Sequence, residues 1–136
     1  MFAMHFFCGS LYIFGGRKYE SLSDEILIFN IEKTTTTTSK MPCGLCAFAS
    51  SLYKEYVIIF GGTDGNTFMN KFFIYSITQN KWEISKVASA HEGRISSTMV
   101  IENNFIIIYG GSLLNSETSE CLVFSVEELF RSIEKN

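Results

Sequence analysis

Val57-Ile-Ile-Phe-Gly-Gly62 is an apolar run that ends in an aromatic residue and two glycines, and this pattern occurs three times in the sequence. The other copies are Leu11-Tyr-Ile-Phe-Gly-Gly16 and Ile106-Ile-Ile-Tyr-Gly-Gly111. The first glycines of the pairs stand at positions 15, 61 and 110, which gives spacings of 46 and 49 residues. A repeat of this length is typical of solenoids, propellers and other arrays.

A second feature repeats in the same register. Thirteen residues after each glycine pair stands an aromatic residue that ends another apolar run: Phe29, Tyr75 and Phe124. Two features that keep the same offset three times define the repeat unit. We therefore expect a single domain, 1–136, made of three units at about 1–40, 41–88 and 89–136.

The apolar runs are four to six residues long, rich in Ile, Val, Phe and Tyr, and bounded by Gly, Asn, Ser or Asp. Such runs predict β-strands. Because they are continuously apolar and do not alternate, they predict sheets that are covered on both faces. Further strands are predicted at 2–6, 46–52, 82–87 and 95–101. Four antiparallel strands per unit, stacked face to face, are typical of a propeller blade.

The middle repeat also carries the pattern of the kelch repeat family, which couples a glycine pair to a Tyr and, seven residues later, a Trp. Its matching residues are Gly61-Gly62, Asn70 at the start of the third strand, Tyr75 and Trp82. The chain resembles this family throughout. The resemblance implies an all-β fold of about three four-stranded kelch blades, an incomplete β-propeller ring. The motif positions are Gly15, Gly16, Phe29, Gly61, Gly62, Tyr75, Trp82, Gly110, Gly111 and Phe124.

The outer units depart from this pattern at the Trp position. The first has Thr36, inside the run Thr34–Thr38, and a Thr run has the β propensity of an outer strand. In the third, Ser125 and Glu128 fit a helix capping box, and Leu129 and Ile133 have the i, i+4 spacing of residues on one helix face. The sequence therefore predicts either a short helix or a fourth strand at the end of the third unit.

Composition excludes several classes of protein. Hydrophobic residues make up 46% of the 136 residues and charged residues 18%, which is incompatible with a disordered chain. A net charge of −3 argues against a nucleic-acid binder with a basic face. No apolar run approaches the roughly 18 residues of a membrane span. Four cysteines in a chain with ample apolar residues predict free thiols, and no targeting segment is recognised, so we expect a cytoplasmic protein.

Catalytic and metal chemistry find little support in the sequence. The glycine pairs lead into loops and strands, so they favour unusual backbone angles over phosphate binding. Cys43-Gly-Leu-Cys46 precedes a predicted strand, which suits neither a redox pair nor a zinc site. Galactose oxidase resembles this class of propeller, but its copper site needs His and Tyr ligands, and this chain has only two His. We expect no enzyme activity, no cofactor and no metal.

The resemblance implies that function lies on loops, because the loops after the glycine pairs and between blades gather at one end of kelch propellers and commonly bind partners. In this sequence those loops carry most of the polar and charged residues over an apolar scaffold. We expect a contact face with arginine and tyrosine as anchors. Its candidate residues are Arg17, Lys18, Tyr19, Asp64, Asn66, His91 and Arg94.

These features predict a protein-interaction module or scaffold whose partner is another protein. The resemblance suggests substrate recruitment for a ubiquitin ligase, or cytoskeletal and polarity scaffolding. The alternative is a fragment of a galactose-oxidase-like propeller enzyme whose catalytic residues lie on missing blades.

Propellers typically have 4–8 blades, so three repeats leave three possibilities. The chain is part of a longer product, two copies associate into a six-bladed ring, or the chain is an arc capped at its ends.

Overall fold

Three antiparallel sheets follow one another along the chain in the computed structural model, which describes residues 1–134. The first sheet begins with β1 (Ala3–Phe7) and β2 (Ser10–Phe14). A small hairpin of β3 (Arg17–Lys18) and β4 (Ser21–Leu22) follows. The sheet is then completed by β5 (Glu25–Asn30) and β6 (Thr35–Lys40), in the spatial order β1-β2-β5-β6.

The next two sheets repeat this arrangement. The middle sheet contains β7 (Ala49–Tyr53), β8 (Tyr56–Phe60), β9 (Phe72–Ser76) and β10 (Lys81–Ser85). The third contains β11 (Thr98–Glu102), β12 (Phe105–Tyr109) and β13 (Cys121–Ser125), followed by helix α1 (Val126–Glu134). Each sheet is a propeller blade, and the blades do not close a ring within the described residues. The predicted all-β fold of kelch-like blades is confirmed.

Two of the turns that join first and second strands have positive backbone φ angles at both central residues. Cys8 and Gly9 have φ of 45° and 81°, and Asn103 and Asn104 have φ of 48° and 64°. Such angles define the tight two-residue hairpin turns whose twist matches that of the flanking strands.

The first strands of the middle and third blades begin later than predicted. The prediction of strands from 46 and 95 was wrong by three residues, since β7 begins at Ala49 and β11 at Thr98. The reason is local backbone geometry, because Ala47 and Ser96 have φ of 58° and 57° and interrupt the ladder. The predicted strand at 82–87 also ends earlier, because the Val87 N–H donates to the Ser85 hydroxyl and turns the chain.

The middle blade is covered on both faces, as its continuously apolar strands predict. Every residue of β8 from Val57 to Phe60 and of β9 from Phe72 to Ser76 is buried. Their side chains alternate between the two faces of the sheet. One face packs on the first blade and carries Val57, Ile59, Phe73 and Tyr75. The other packs on the third blade and carries Ile58, Phe60, Phe72 and Ile74.

We call the face of a blade that points toward the next blade in the chain its forward face, and the opposite face its rear face. Forward faces pack on rear faces at both contacts, between the first and middle blades and between the middle and third blades. At the first contact Trp82 lies against Phe14, with ring centroids 6.1 Å apart. Its indole N–H donates to the Lys40 carbonyl at 2.8 Å, so the outer strands of two blades are tied together.

The third blade ends in a helix, and the alternative of a fourth strand does not hold. The Ser125 hydroxyl accepts a hydrogen bond from the Glu128 N–H at 2.9 Å, which is the predicted helix cap. Leu129 is fully buried against the middle blade, and Phe130 packs on Tyr56 with ring centroids 4.9 Å apart. The predicted outer strand of the first blade is also confirmed, as β6.

Trp82 tests the contact between the first two blades. We expect Trp82→Phe to lower the free energy of unfolding by about 1–2 kcal/mol, because the hydrogen bond to Lys40 and part of the ring packing are lost. Trp82→Ala also removes the packing and should cost about 3 kcal/mol. Denaturant unfolding measures both. Lys81→Ala on the same strand is the control, and an equal loss for Lys81→Ala and Trp82→Ala would contradict the proposed contact.

Gly61 tests the close approach of two backbones. A Cβ at Gly61 would lie 2.5 Å from the Arg94 carbonyl oxygen, whereas a Cβ at Gly9 would meet nothing within 4 Å. Both residues have positive φ, so Gly9→Ala measures the conformational strain alone, about 1–2 kcal/mol. Gly61→Ala should cost at least about 1 kcal/mol more. Denaturant unfolding of the two variants gives the comparison, and equal losses would show that the contact is unimportant.

Candidate functional site

Two kinds of loop meet at one end of the blades. Because each blade is an antiparallel meander, the loops after the glycine pairs lie at the same end as the loops between blades. The structure joins them directly, with β-bridges between Cys46 and Thr63 and between Ile95 and Ser112. We call this the loop end. The opposite end carries the short hairpin turns and the start of helix α1, whereas the longer loops of the described residues lie at the loop end.

The β3–β4 hairpin holds Tyr19 at the surface of the loop end. Tyr19 is 90% exposed and has a φ of 55°. The Arg17 side chain donates from Nε to the Tyr19 carbonyl at 3.2 Å, and the Ser21 hydroxyl donates to the Lys18 carbonyl at 3.2 Å. These bonds order the turn, so an aromatic ring and two cationic side chains project from one hairpin.

Asp64 organises the loop of the middle blade. One of its carboxylate oxygens accepts from the backbone N–H groups of Asn66 and Thr67 at 2.9 and 2.8 Å. These hydrogen bonds hold the pKa of the Asp64 carboxyl below its usual range, because they stabilise its charged form. Asn66 is exposed beside it. The carboxylate is therefore committed to the shape of the loop, and Asn66 is the more accessible of the two.

Arg94 requires a correction, because it does not lie on the surface of the contact face. Its side chain is 1% exposed and forms an ion pair with Glu120 at 2.9 Å and a hydrogen bond to the Gly110 carbonyl at 3.3 Å. A buried guanidinium needs such partners. The Arg94 carbonyl also accepts from the Gly62 N–H at 2.9 Å. Arg94 thus connects the loops of the middle and third blades from beneath.

His91 lies partly below the surface. It is half-buried, and its ring meets the Phe124 ring edge-on with centroids 5.8 Å apart. Its carbonyl accepts from the Asn70 side-chain amide at 2.9 Å. Both interactions position the loop between the middle and third blades. The structure therefore leaves Arg17, Lys18, Tyr19 and Asn66 exposed at the loop end, while Asp64 and His91 are partly covered.

The sequence analysis did not single out Leu114, which is 71% exposed in the loop after the third glycine pair. The neighbouring Leu113 N–H donates to the Ser116 carbonyl at 2.7 Å, so this loop turns tightly at its tip. Two adjacent leucines, Leu113 and Leu114, in a loop otherwise made of Ser, Asn, Glu and Thr were the available signal. Leu114 and Tyr19 give the loop end two apolar side chains in water.

The described residues offer few groups suited to catalysis. Residues 1–134 contain no group of three or more His, Cys, Asp or Glu side chains arranged to hold a metal ion. Burial raises the pKa of the Cys43 thiol, which opposes the thiolate that a redox pair requires. His5 lies between the first two blades, 2.9 Å from the Ser50 hydroxyl, and its burial lowers its pKa.

The helix in the described residues is too short to cross a membrane.

The pairing of Arg94 with Glu120 can be tested as a cycle. Glu120→Gln leaves the buried guanidinium without its carboxylate and should lower the free energy of unfolding by about 1 kcal/mol, a value moderated because the Glu120 side chain is 52% exposed. In an Arg94→Met background the same change should cost nothing. Denaturant unfolding of the four chains measures the coupling. Glu117→Gln is the control, and an equal cost of Glu120→Gln in both backgrounds would refute the pairing.

Comparison with known proteins gives the family. The sequence model described as KLHDC2/KLHL20/DRC7 Kelch-repeats domain matches residues 2–130. No curated protein matches the chain. Kelch domains generally serve as protein-interaction modules and are typically non-catalytic. Since the match covers nearly all of the sequence and the blades have the expected strand order, the chain belongs to the Kelch-repeat family.

Proposed function

We propose that the chain binds another protein through its loop end, with Tyr19 as the main anchor. The observation that carries this proposal is the exposure of the Tyr19 ring, 90%, on a hairpin whose turn is held by side-chain hydrogen bonds. A turn held in this way loses little backbone entropy on binding. Tyrosine and arginine are also enriched among residues that dominate binding energy.

The surroundings of Tyr19 indicate the chemistry of the partner. Arg17 and Lys18 stand beside it on the same hairpin, and both are exposed. The two cations favour a partner segment that offers a carboxylate next to an apolar pocket for the ring. Leu114 adds an apolar contact on the loop of the third blade. The rigid β-scaffold beneath keeps these loops in fixed positions.

Two cellular roles fit such a module, and the resemblance to kelch repeats supports both. In one, the loop end recruits a substrate to a ubiquitin ligase. In the other, it holds a partner on a cytoskeletal or polarity scaffold. We propose that the protein works in the cytoplasm, where cysteines such as the exposed Cys8 and Cys121 remain as thiols.

The experiment compares a variant of the anchor with a control variant at the opposite end of the same blade. Arg17→Ala/Tyr19→Ala removes the anchor, and Ile31→Ala removes an exposed apolar residue, 47% exposed, from the opposite end of the same blade. Each chain is immobilised and the proteins that it captures from a cell extract are quantified by mass spectrometry. At least one protein should fall about thirtyfold with the anchor variant, the equivalent of 2 kcal/mol. The Ile31→Ala chain should capture it like wild type.

The outcome also separates the two cellular roles. Recovery of ubiquitin-ligase subunits together with the lost protein supports the recruitment role, and recovery of filament-associated proteins supports the scaffold role. If no captured protein distinguishes the anchor variant from Ile31→Ala, the loop end is not the binding surface.

A further inference from the structure

Two faces of the blade array carry exposed apolar side chains. One is the rear face of the first blade, where Met4 and Phe6 are each 55% exposed. The other is the forward face of the third blade, where Val123 is 58% and Tyr109 56% exposed. Exposed apolar faces on both sides of a stack of sheets point to an interaction surface.

The rear face of the first blade matches the rear face of the third, which is buried against the middle blade. The strand pairings place both sets of side chains on equivalent positions, 95 residues apart. The first set is Met4, Phe6, Leu11, Ile13, Leu27 and Phe29, and the second is Met99, Ile101, Ile106, Ile108, Leu122 and Phe124. All six pairs are apolar in both members. The exposed rear face therefore has the side chains of a face that packs on a blade.

The forward face of the third blade likewise matches the forward face of the middle blade. Its residues stand 49 positions after those of the buried face. The exposed set is Phe105, Ile107, Tyr109 and Val123, and the matching set is Tyr56, Ile58, Phe60 and Ile74. At these four positions aromatic residues match aromatic residues and β-branched residues match β-branched residues, whereas Cys121 stands where the middle blade has Phe72. The two exposed faces thus carry the side chains of the two sides of a blade-to-blade contact. It is the same kind of contact that joins the middle and third blades.

We propose that these faces bind each other between two copies of the chain. The forward face of the third blade of one copy packs on the rear face of the first blade of the other, and the same contact forms a second time. Two copies then make a ring of six blades, within the range of 4–8 that propellers adopt. Three copies would exceed it. A closed ring leaves neither face in water, as closed symmetric assemblies do.

The outer strand of the first blade favours a second copy over a four-stranded blade of another protein. Thr36 and Thr38 occupy the rear-face positions that Trp82 and Ile84 occupy in the middle blade. In the middle blade those residues pack on the first blade, whose fourth strand is β6. The third blade has three strands in the described residues, and its helix packs back on the middle blade. Polar threonines are suited to a partner blade that does not cover them.

The exposed apolar side chains of the two faces supply more than half of the area that a stable interface buries. Met4, Phe6, Leu27, Val100, Phe105, Tyr109 and Val123 are each between 39% and 58% exposed. Burying them would remove roughly 500 Å² of apolar surface per chain, before half-buried neighbours and backbone are counted. A stable interface buries about 800 Å² per partner.

Light scattering behind a sizing column measures the assembly with the whole chain. Wild type should have twice the chain mass of 15.4 kDa. Phe6→Glu on the rear face and Val123→Glu on the forward face should each halve that mass, because each change disrupts both contacts of the ring. Ala90→Glu, a charge at an exposed loop residue after the middle blade, should leave it unchanged. Circular dichroism of each variant establishes that the blades remain folded.

Mixing the variants tests the direction of the contact. A Phe6→Glu chain keeps its forward face and a Val123→Glu chain keeps its rear face, so the mixture should form a heterodimer through the one intact contact. A mixture of Val123→Glu with Val100→Glu chains has both forward faces changed and should stay monomeric.

Three results would overturn the proposal. The first is a wild type that is monomeric or polydisperse, which would assign the faces to blades of other origin. The second is a dimer that survives both face variants. The third is a mixture of two forward-face variants that dimerises as well as the mixed pair.

Discussion

Two backbones touch wherever a blade passes to the next one. The Gly62 N–H donates to the Arg94 carbonyl at 2.9 Å, and the Gly16 N–H donates to the Leu45 carbonyl at 3.0 Å. A side chain on the preceding glycine would collide with the same oxygen in each case, at 2.5 and 2.3 Å. This contact fixes where the loop between two blades crosses the end of the second strand. The stacking of the blades, and with it the position of every loop, depends on it.

The stacking separates the residues that stabilise the molecule from those that face a partner. The middle blade is buried on both faces, so its strands contribute only core. The loops above it project from a scaffold that cannot shift without breaking those contacts. Arg94 and Asp64 belong to the support of these loops, since one is buried in an ion pair and the other accepts hydrogen bonds from its own loop. Tyr19 has no such structural task, which is why its exposure is informative.

The sequence was sufficient for the fold because its signals were local and repeated. Glycine pairs and aromatic residues at constant spacing predicted the strands, and Ser125 with Glu128 predicted the helix cap that the structure contains. The strand starts were missed because neither Ala47 nor Ser96 belongs to a residue type that favours positive φ.

The site was less predictable than the fold, because burial depends on contacts between distant residues. The burial of the Arg94 side chain depends on its ion pair with Glu120. Glu120 is 26 residues away in the chain and is brought to Arg94 by the loop of the third blade. No local sequence pattern predicts such an ion pair. Loop residues such as Leu114 are equally hard to rank, because turn composition says little about which tip projects farthest.

Because the blades pack face to face in the order of the chain, the molecule is a one-dimensional array. Each blade is a meander of strands that are neighbours in sequence, and its faces pack on the blades before and after it. Within one chain the middle unit has two neighbours and each outer unit has one. Equivalent residues therefore stand in different environments: Ile59 is fully buried, whereas Ile13 at the same repeat position is only half-buried. Tolerance to mutation should follow the position of a blade in the array more closely than the identity of the residue that is replaced.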